Sequence, residues 1–189
     1  MQQRALLVFL VLLLVGFRVL GALWPAAANF QPMTAVFFCG MAFMGWRIMW
    51  VPALAWFVTL SLTNGMQGFG WSAQIYVALI GLALTVGVGC FFRKQRGLLP
   101  LLGGAAACAI LAFFVMNCFS WMILPDYPKT LAGFVQAQWT GALHHTQPTW
   151  IFLRNPLIAN LLFTGFFVLG QQRLGAVSEP LRATAPAEH

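Results

Sequence analysis

The chain has 189 residues, of which 61% are hydrophobic and only 7% are charged. Because about a quarter of the residues in a soluble domain are charged, this composition excludes a soluble globule and predicts a polytopic membrane protein. The net charge of +7 comes from Lys and Arg at the ends of apolar runs, which argues against nucleic acid as a partner. The only carboxylates, Asp126, Glu179 and Glu188, leave little material for paired acid and base catalysis, so an enzyme is not indicated.

The first apolar run, residues 5–24, is long enough to span a membrane. As a helix, about 20 residues at ~1.5 Å each cover a ~30 Å hydrocarbon core. Arg4 before this run and the alanines 26–28 after it also fit a cleavable signal peptide. The length of the run and the charge of Arg18 within it favour a retained first helix.

Residues 33–63 can form one long helix or two short ones. One helix would be about 46 Å long, whereas two full spans need about forty residues. A single span would also place the basic cluster 93–96 on the side opposite Arg4, against the tendency of Lys and Arg to stay inside. We therefore predict a hairpin of two short helices, broken near residues 45–47, with Arg47 at its tip.

A glycine-rich loop at 64–73 leads into a predicted helix at about 74–92, which the basic turn 93–96 follows. The next predicted helix, at about 98–117, carries consecutive small residues at 103–107. Small residues let helices approach closely where lipid provides no hydrophobic drive. We expect this helix to be central and closely packed.

Residues 118–149 are too polar for a clean span, and a short amphipathic or re-entrant helix is predicted there at about 130–143. The last span is predicted at 150–172. The fold class is therefore an all-α polytopic bundle at 1–173 with six transmembrane helices, of which the second and third are short. A disordered cytoplasmic tail is predicted at 174–189.

The distribution of Lys and Arg predicts both termini on the cytoplasmic side of a bacterial inner membrane. The predicted inner side holds Arg4, Arg47, Arg93, Lys94, Arg96, Arg173 and Arg182, whereas the outer side holds Lys129 and Arg154.

Arg18 is the residue whose burial in lipid costs most, about 2.5 to 3.5 kcal/mol at a helix centre, and such residues mark function by default. It lies about six residues, roughly 9 Å, from the outer end of its helix, so its side chain can also reach the interface. Contact with an anionic or polar solute and simple anchoring are both open at this stage.

Polar groups and aromatic rings concentrate in the outer half of the predicted bundle. Tryptophan is expected in interfacial belts, but an unpaired amide in hydrocarbon costs a few kcal/mol. We predict a solute cavity between the first helix, the 64–73 loop, the 118–150 segment and the last helix. Its candidate lining residues are Arg18, Asn29, Asn64, Asn117, Trp121, Lys129, Gln138, Trp139, Arg154, Asn155 and Asn160.

The roles of these side chains follow from their chemistry. The two arginines are expected to hold an anionic or carbonyl group of the solute. The amides of Asn64, Asn117 and Asn160 are expected to hydrogen-bond polar edges, and the rings of Trp121 and Trp139 to stack on a flat ring.

Cysteine and histidine do not form a metal motif. The four cysteines show no CxxC spacing and lie in or beside apolar runs, where a free cysteine packs as a small hydrophobe. His144 and His145 are adjacent, so on a helix they would point about 100° apart, and neither metal nor cofactor is expected. Cys118, the histidines and Arg154 resemble the Cys, Arg and His set of exosortase-type membrane transpeptidases. Those enzymes place Arg between Cys and His, and their cysteine motif is absent here.

The sequence also resembles a family of small bacterial transport-type proteins related to the substrate-binding S components of energy-coupling factor (ECF) transporters. The stretches that carry the resemblance are Arg18 with residues 29–32 (NFQP), residues 35–40 (AVFFCG), residues 117–121 (NCFSW) with residues 127–130 (YPKT) and Gly133, and residues 152–155 (FLRN). The resemblance implies a helical bundle that binds a small organic solute from outside, with a heterocyclic vitamin or precursor as the substrate class. The family has acidic residues where this chain has Asn64 and Asn160, which argues against a cation.

The resemblance implies an energising transmembrane and ATPase module in trans. This chain has no GxxxxGK phosphate-binding motif, and the alanine pair with which S components dock is not clear in its first helix. A function of a different class is a non-catalytic membrane scaffold or assembly subunit. In that case the small-residue face at 103–107 packs a partner helix, and the polar groups satisfy one another.

Overall fold

The computed structural model describes residues 2–23, 30, 32–66, 73–142 and 148–178, and every regular element in that part is helical. The all-α class is therefore confirmed. The α-helices in chain order are α1 (Gln2–Leu23), α2 (Met33–Cys39), α3 (Trp50–Met66), α4 (Ala73–Phe91), α5 (Leu98–Ile123), α6 (Leu131–Gln138) and α7 (Ile151–Ser178).

Two helices, rather than one, follow the first. α2 continues as a π-helical turn, Gly40–Met44, and stops at Gly45. Gly45 has a φ of 76°, a left-handed conformation that glycine adopts without steric cost. A 3-10 turn, Trp46–Ile48, then leads into α3. The predicted break near residues 45–47 is confirmed.

The break between α2 and α3 lies against the turn between α4 and α5. A guanidinium nitrogen of Arg93 lies 3.0 Å from the place that a Cβ on Gly45 would occupy. The guanidinium carbon of Arg96 lies 5.4 Å from the ring centroid of Phe43, in cation–π contact. Residues 43–47 and 93–96 therefore share one end of the bundle, called the basic end below.

α2 is the most enclosed element. Residues 35–42 are all buried, and α2 packs against α1, α4, α5 and α7. A helix that is apolar on all sides must be kept from water, either by lipid or, as for α2, by the surrounding helices. Glycines allow this close approach, because a Cβ on Gly89 would lie 3.1 Å from the Phe38 carbonyl oxygen and one on Gly104 2.6 Å from the Phe38 ring.

α5 contacts four other helices along its 26 residues. It packs against α2, α4, α6 and α7, in agreement with the close packing predicted from its small residues. It ends at Ile123 rather than near residue 117, because residues 118–123 are still largely apolar and Leu124, which precedes Pro125, is extended.

The remaining boundaries also differ from the predicted ones. α6 is shorter than the predicted 130–143, since Gly141 adopts a left-handed φ of 83° just after it. α7 continues beyond the predicted end of the last span, to Ser178, whereas residues 179–189 of the predicted tail lie outside the described residues.

The outer surface of the bundle is apolar. Among the residues that the structure describes, two helices are long and apolar enough to cross a membrane, Leu98–Ile123 and Ile151–Gln172. Only 28% of each apolar window is buried, whereas the core helix of a soluble protein is mostly buried. Large apolar side chains such as Leu12, Leu62 and Phe166 are exposed, and the charged side chains within the described set lie at the two ends. This pattern fits a membrane protein.

Candidate functional site

Residues 121–142 form a small folded unit, called the cap below, at the end of α5 opposite the basic end. The hydroxyl of Thr130 accepts a hydrogen bond from the Gly133 N–H at 3.2 Å and so caps the start of α6. Gly133 packs directly on the backbone of Pro128, where an added Cβ would lie 2.0 Å from the carbonyl oxygen. The YPKT segment and Gly133 therefore form one tight turn.

Two predicted solute-binding side chains hold this turn in place. The ammonium of Lys129 donates hydrogen bonds to the carbonyls of Trp121 and Leu124. These carbonyls belong to the C-terminal turn of α5, where helical partners are missing and a cation is favoured. The indole N–H of Trp121 donates to the Pro128 carbonyl at 2.9 Å, and its ring lies edge-on to Phe134 at 5.5 Å. The polar atoms of Trp121 and Lys129 are thus used within the cap.

Tyr127 forms the buried centre of the cap. It packs with Ala137 and Ala142, and the half-buried ring of Trp121 covers them. Burial raises the pKa of the Tyr127 hydroxyl, and a hydrogen bond with the Ala142 backbone lowers it by a smaller amount. The cap therefore has an apolar core of its own.

Gln138 links the cap to α5. Its amide nitrogen lies 3.5 Å from the Phe114 carbonyl oxygen and 3.6 Å from the Cys118 sulfur. The structure thus places an amide beside Cys118, while His144 and His145, the candidate catalytic bases, lie outside the described residues.

Trp139 and Trp150 connect the cap to α7. The backbone N–H of Trp150 donates a hydrogen bond to the backbone carbonyl of Trp139 at 3.3 Å. The centroids of the two indole rings lie 6.4 Å apart, and the ring planes are inclined at 30°. Both rings are exposed, as expected for an interfacial pair. Close by in sequence, the exposed guanidinium of Arg154 donates to the side-chain oxygen of Asn155 at 3.4 Å. Apart from Asn117 and Asn160, the predicted outer residues with described side chains therefore lie at this end.

Two predicted amides inside the bundle lack hydrogen-bond partners. Asn160 is 1% exposed, and neither its oxygen nor its nitrogen makes a hydrogen bond. The buried side-chain nitrogen of Asn117 is unpaired as well. Each unpaired buried polar group costs about 1–3 kcal/mol, and native proteins contain few of them. Among the predicted site residues, Asn160 is therefore the one whose burial without a hydrogen-bond partner most needs an explanation.

The other predicted residues lie partly outside the described chain. Arg18 belongs to α1 and Asn64 to α3, but their side chains are not described, and Asn29 is outside the described residues. Phe17, which precedes Arg18, lies edge-on to Phe163 of α7 at 4.9 Å. The backbone of Arg18 is thus placed within about one helical turn of the depth of Asn160.

An apolar groove lies between α1, α2 and α7. Its volume is about 220 Å³, and its lining residues are Phe9, Leu13, Ala35, Val36, Phe163, Phe166 and Phe167. Phe9 and Phe166 are more than half exposed, so the groove opens sideways on the surface of the bundle. Sequence reasoning missed it, because phenylalanines on a membrane helix give the same signal whether they face lipid or a groove.

Small polar side chains are also buried in the core, where one pair joins two helices. Sequence reasoning missed this pair. The Cys39 thiol donates to the Thr164 hydroxyl at 3.7 Å, which joins α2 to α7. The Thr85 hydroxyl of α4 donates to the Gly81 carbonyl of its own helix at 2.8 Å, and Cys108 of α5 is buried as well. All four side chains are buried. Threonines within apolar helices were the available signal, because a threonine there needs a partner.

A helical bundle with an apolar exterior, a folded cap and unpaired amides in its interior fits the class of helical membrane proteins. The profile of a family of unknown function, DUF6580, matches residues 1–179, and the chain belongs to that family. No curated protein and no solved structure matches the chain.

Proposed function

We propose that this protein is a membrane-embedded, S-component-like subunit that binds a small organic solute for uptake. The observation that carries the proposal is the buried carboxamide of Asn160, which has no hydrogen-bond partner. In an apolar interior such an amide is costly unless something satisfies it, and a bound solute would do so.

The proposed bundle has six spans in a bacterial cytoplasmic membrane: α1, α2 with its π turn, α3, α4, α5 and α7. The basic end is cytoplasmic in this arrangement, as the positive-inside tendency favours, and the cap is outside. The shared position of residues 43–47 and 93–96 supports it, since a hairpin is needed to bring both to one end.

Cysteine labelling tests this topology. We expect a membrane-impermeant maleimide to label Asp126→Cys in intact cells and to label Lys94→Cys only after the cells are opened, because these exposed positions lie at opposite ends. The unsubstituted protein gives the background from its own thiols. Labelling of Lys94→Cys in intact cells would contradict a cytoplasmic basic end.

The proposed solute site includes Arg18, Asn117, Arg154 and Asn160. Arg154 is exposed beside the cap and makes its hydrogen bond with Asn155 alone among the described residues, so its remaining donors are available. Lys129 and Trp121 contribute mainly by holding the cap, since the indole donor of Trp121 and two of the ammonium donors of Lys129 are already used there.

A binding screen tests the proposal. We expect one or more vitamins or nucleobase analogues to raise the Tm of the purified protein, because a ligand stabilises the folded state by mass action. Arg18→Ala is expected to weaken that binding about tenfold without unfolding the bundle, as loss of a charged hydrogen bond does.

Lys94→Ala is the matched control, since it removes an equal charge at the basic end. Equal effects of the two variants would reduce Arg18 to an anchor. Absence of any thermal shift or bound mass across the panel would contradict the solute-binding function.

A scaffold or assembly subunit is the second candidate, and one observation favours it. Gly103 and Ala107 of α5 are exposed and four residues apart, and nothing lies within 4 Å of a Cβ added to Gly103. Such a pair suits the close approach of a partner helix. An energising module in trans could use the same face, so only the binding screen separates the two functions.

A further inference from the structure

We infer that the solute presents a neutral amide edge, such as a lactam, carboxamide or ureido group, to Asn160 and an apolar ring to the groove between α1, α2 and α7. This inference rests on the proposed solute-binding function and specifies the chemistry of its ligand.

The chemistry of the free amide defines the polar half of the ligand. A carboxamide offers an acceptor oxygen next to two N–H donors, and in Asn160 both atoms are free. The complementary group has an N–H donor beside a carbonyl acceptor, so that two parallel hydrogen bonds form. Thr164, the next polar residue on this face of α7, already accepts a hydrogen bond from Cys39. Among the buried side chains that the structure describes, Asn160 is the one in which both a donor and an acceptor are unpaired.

The groove defines the apolar half. Phe163 lines it and lies three residues after Asn160 on α7, which is about 4.5 Å along the helix axis. An apolar cavity of roughly 150 Å³ holds one benzene ring, so the groove volume of about 220 Å³ suits one ring with a small substituent. Asn160 is not itself a lining residue, so a ring seated in the groove would reach it through an amide joined directly to that ring, across this offset along α7.

The lateral opening of the groove indicates a solute that partitions into lipid. Phe9 is 53% exposed and Phe166 is 67% exposed, on the two helices that border the opening. The rings of Phe17, Phe30 and Phe163 lie 4.9–6.1 Å apart and add an aromatic cluster where α1 and α7 meet. The apolar part of the solute thus has a path from the bilayer that exposes no polar surface.

Variants of Asn160 test the inference without any ligand. Asn160→Leu keeps the branched heavy-atom skeleton, and Asn160→Val is a smaller replacement in case leucine overpacks the site. At least one of them should raise the Tm of the ligand-free protein by about 4 °C, because a buried unpaired amide is removed. Thr164→Val, which removes a partnered hydroxyl, should not raise it. A lower Tm in both Asn160 variants would show that the amide stabilises the ligand-free fold, and this would overturn the inference.

A matched ligand pair provides the second test. Isoquinolin-1(2H)-one, a benzo-fused lactam, should bind the wild type at least about tenfold more tightly than its N-methyl derivative, which lacks the N–H. Asn160→Leu should abolish this difference. If vitamins or nucleobases from the panel bind but the lactam pair shows no difference, the inference is wrong and the solute-binding function stands. If nothing binds, the function and the inference both fail.

Discussion

Gly133→Ala should disrupt the cap and lower the free energy of unfolding by about 3 kcal/mol or more. The new methyl group would lie 2.0 Å from the carbonyl oxygen of Pro128 and 2.9 Å from its carbonyl carbon. These are backbone atoms, so the contact cannot be relieved by a side-chain rotation. The same oxygen accepts the indole hydrogen bond of Trp121, and moving it breaks that bond too. Amide hydrogen exchange across α6 and the Tm of the purified protein measure the effect.

Gly170→Ala is the control for this prediction, because nothing lies within 4 Å of a Cβ at that position. It should leave the exchange of α6 unchanged. If Gly133→Ala shows wild-type exchange in α6, then the turn does not have the close approach that the structure shows.

Gly104→Ala should destabilise the bundle although alanine is the better helix former. The added methyl would lie 2.6 Å and 2.9 Å from two ring carbons of Phe38 and 3.1 Å from the ring of Phe92. Phe38 is fully buried and its ring lies edge-on to that of Phe92, so it has no free space in which to rotate. Overpacking of this kind costs about 1–3 kcal/mol, whereas the gain in helix propensity is about 1 kcal/mol at most. We expect a lower Tm.

The neighbouring glycine, Gly103, provides the control, because its replacement is expected to shift the Tm in the opposite direction or not at all. No atom lies within 4 Å of a Cβ added at Gly103. Gly103→Ala should therefore benefit from the higher helix propensity of alanine and keep or raise the Tm. Replacing Phe38 with leucine should restore part of the stability of Gly104→Ala, since the ring atoms in conflict are removed. Equal shifts for the two glycine variants would contradict the packing of α2 against α5.

The sequence predicted the break between α2 and α3 from charge and from local chemistry. The cluster at 93–96 required an even number of crossings between it and Arg4, and Gly45 supplied a residue that can leave a helix with a positive φ. The glycine is a local signal, and the number of crossings is a simple count along the chain. For that reason they can be read without knowledge of which side chains meet.

The hydrogen-bond partners of Lys129 could not be predicted from the sequence. Its position among the polar and aromatic residues of the predicted outer half made it a candidate solute ligand, and that role stays a prediction. The structure shows that its ammonium reaches carbonyls five and eight positions earlier in the chain. Whether a lysine turns back onto a helix end or outward depends on how the intervening turn folds, and Pro128 with Gly133 decides this through backbone contact.

The sequence by itself determined the helical, apolar character of this protein, the break between α2 and α3 and the sharing of the basic end, because composition, periodicity and charge count fix these. Only the tertiary structure decided that α2 is the enclosed helix, that Cys39 meets Thr164 from 125 positions away, and that Asn160 is left unpaired. The physical reason is that hydrogen bonding and burial depend on which faces of the helices meet. In a chain that is apolar nearly throughout, the helix faces differ too little for sequence pattern to select those neighbours.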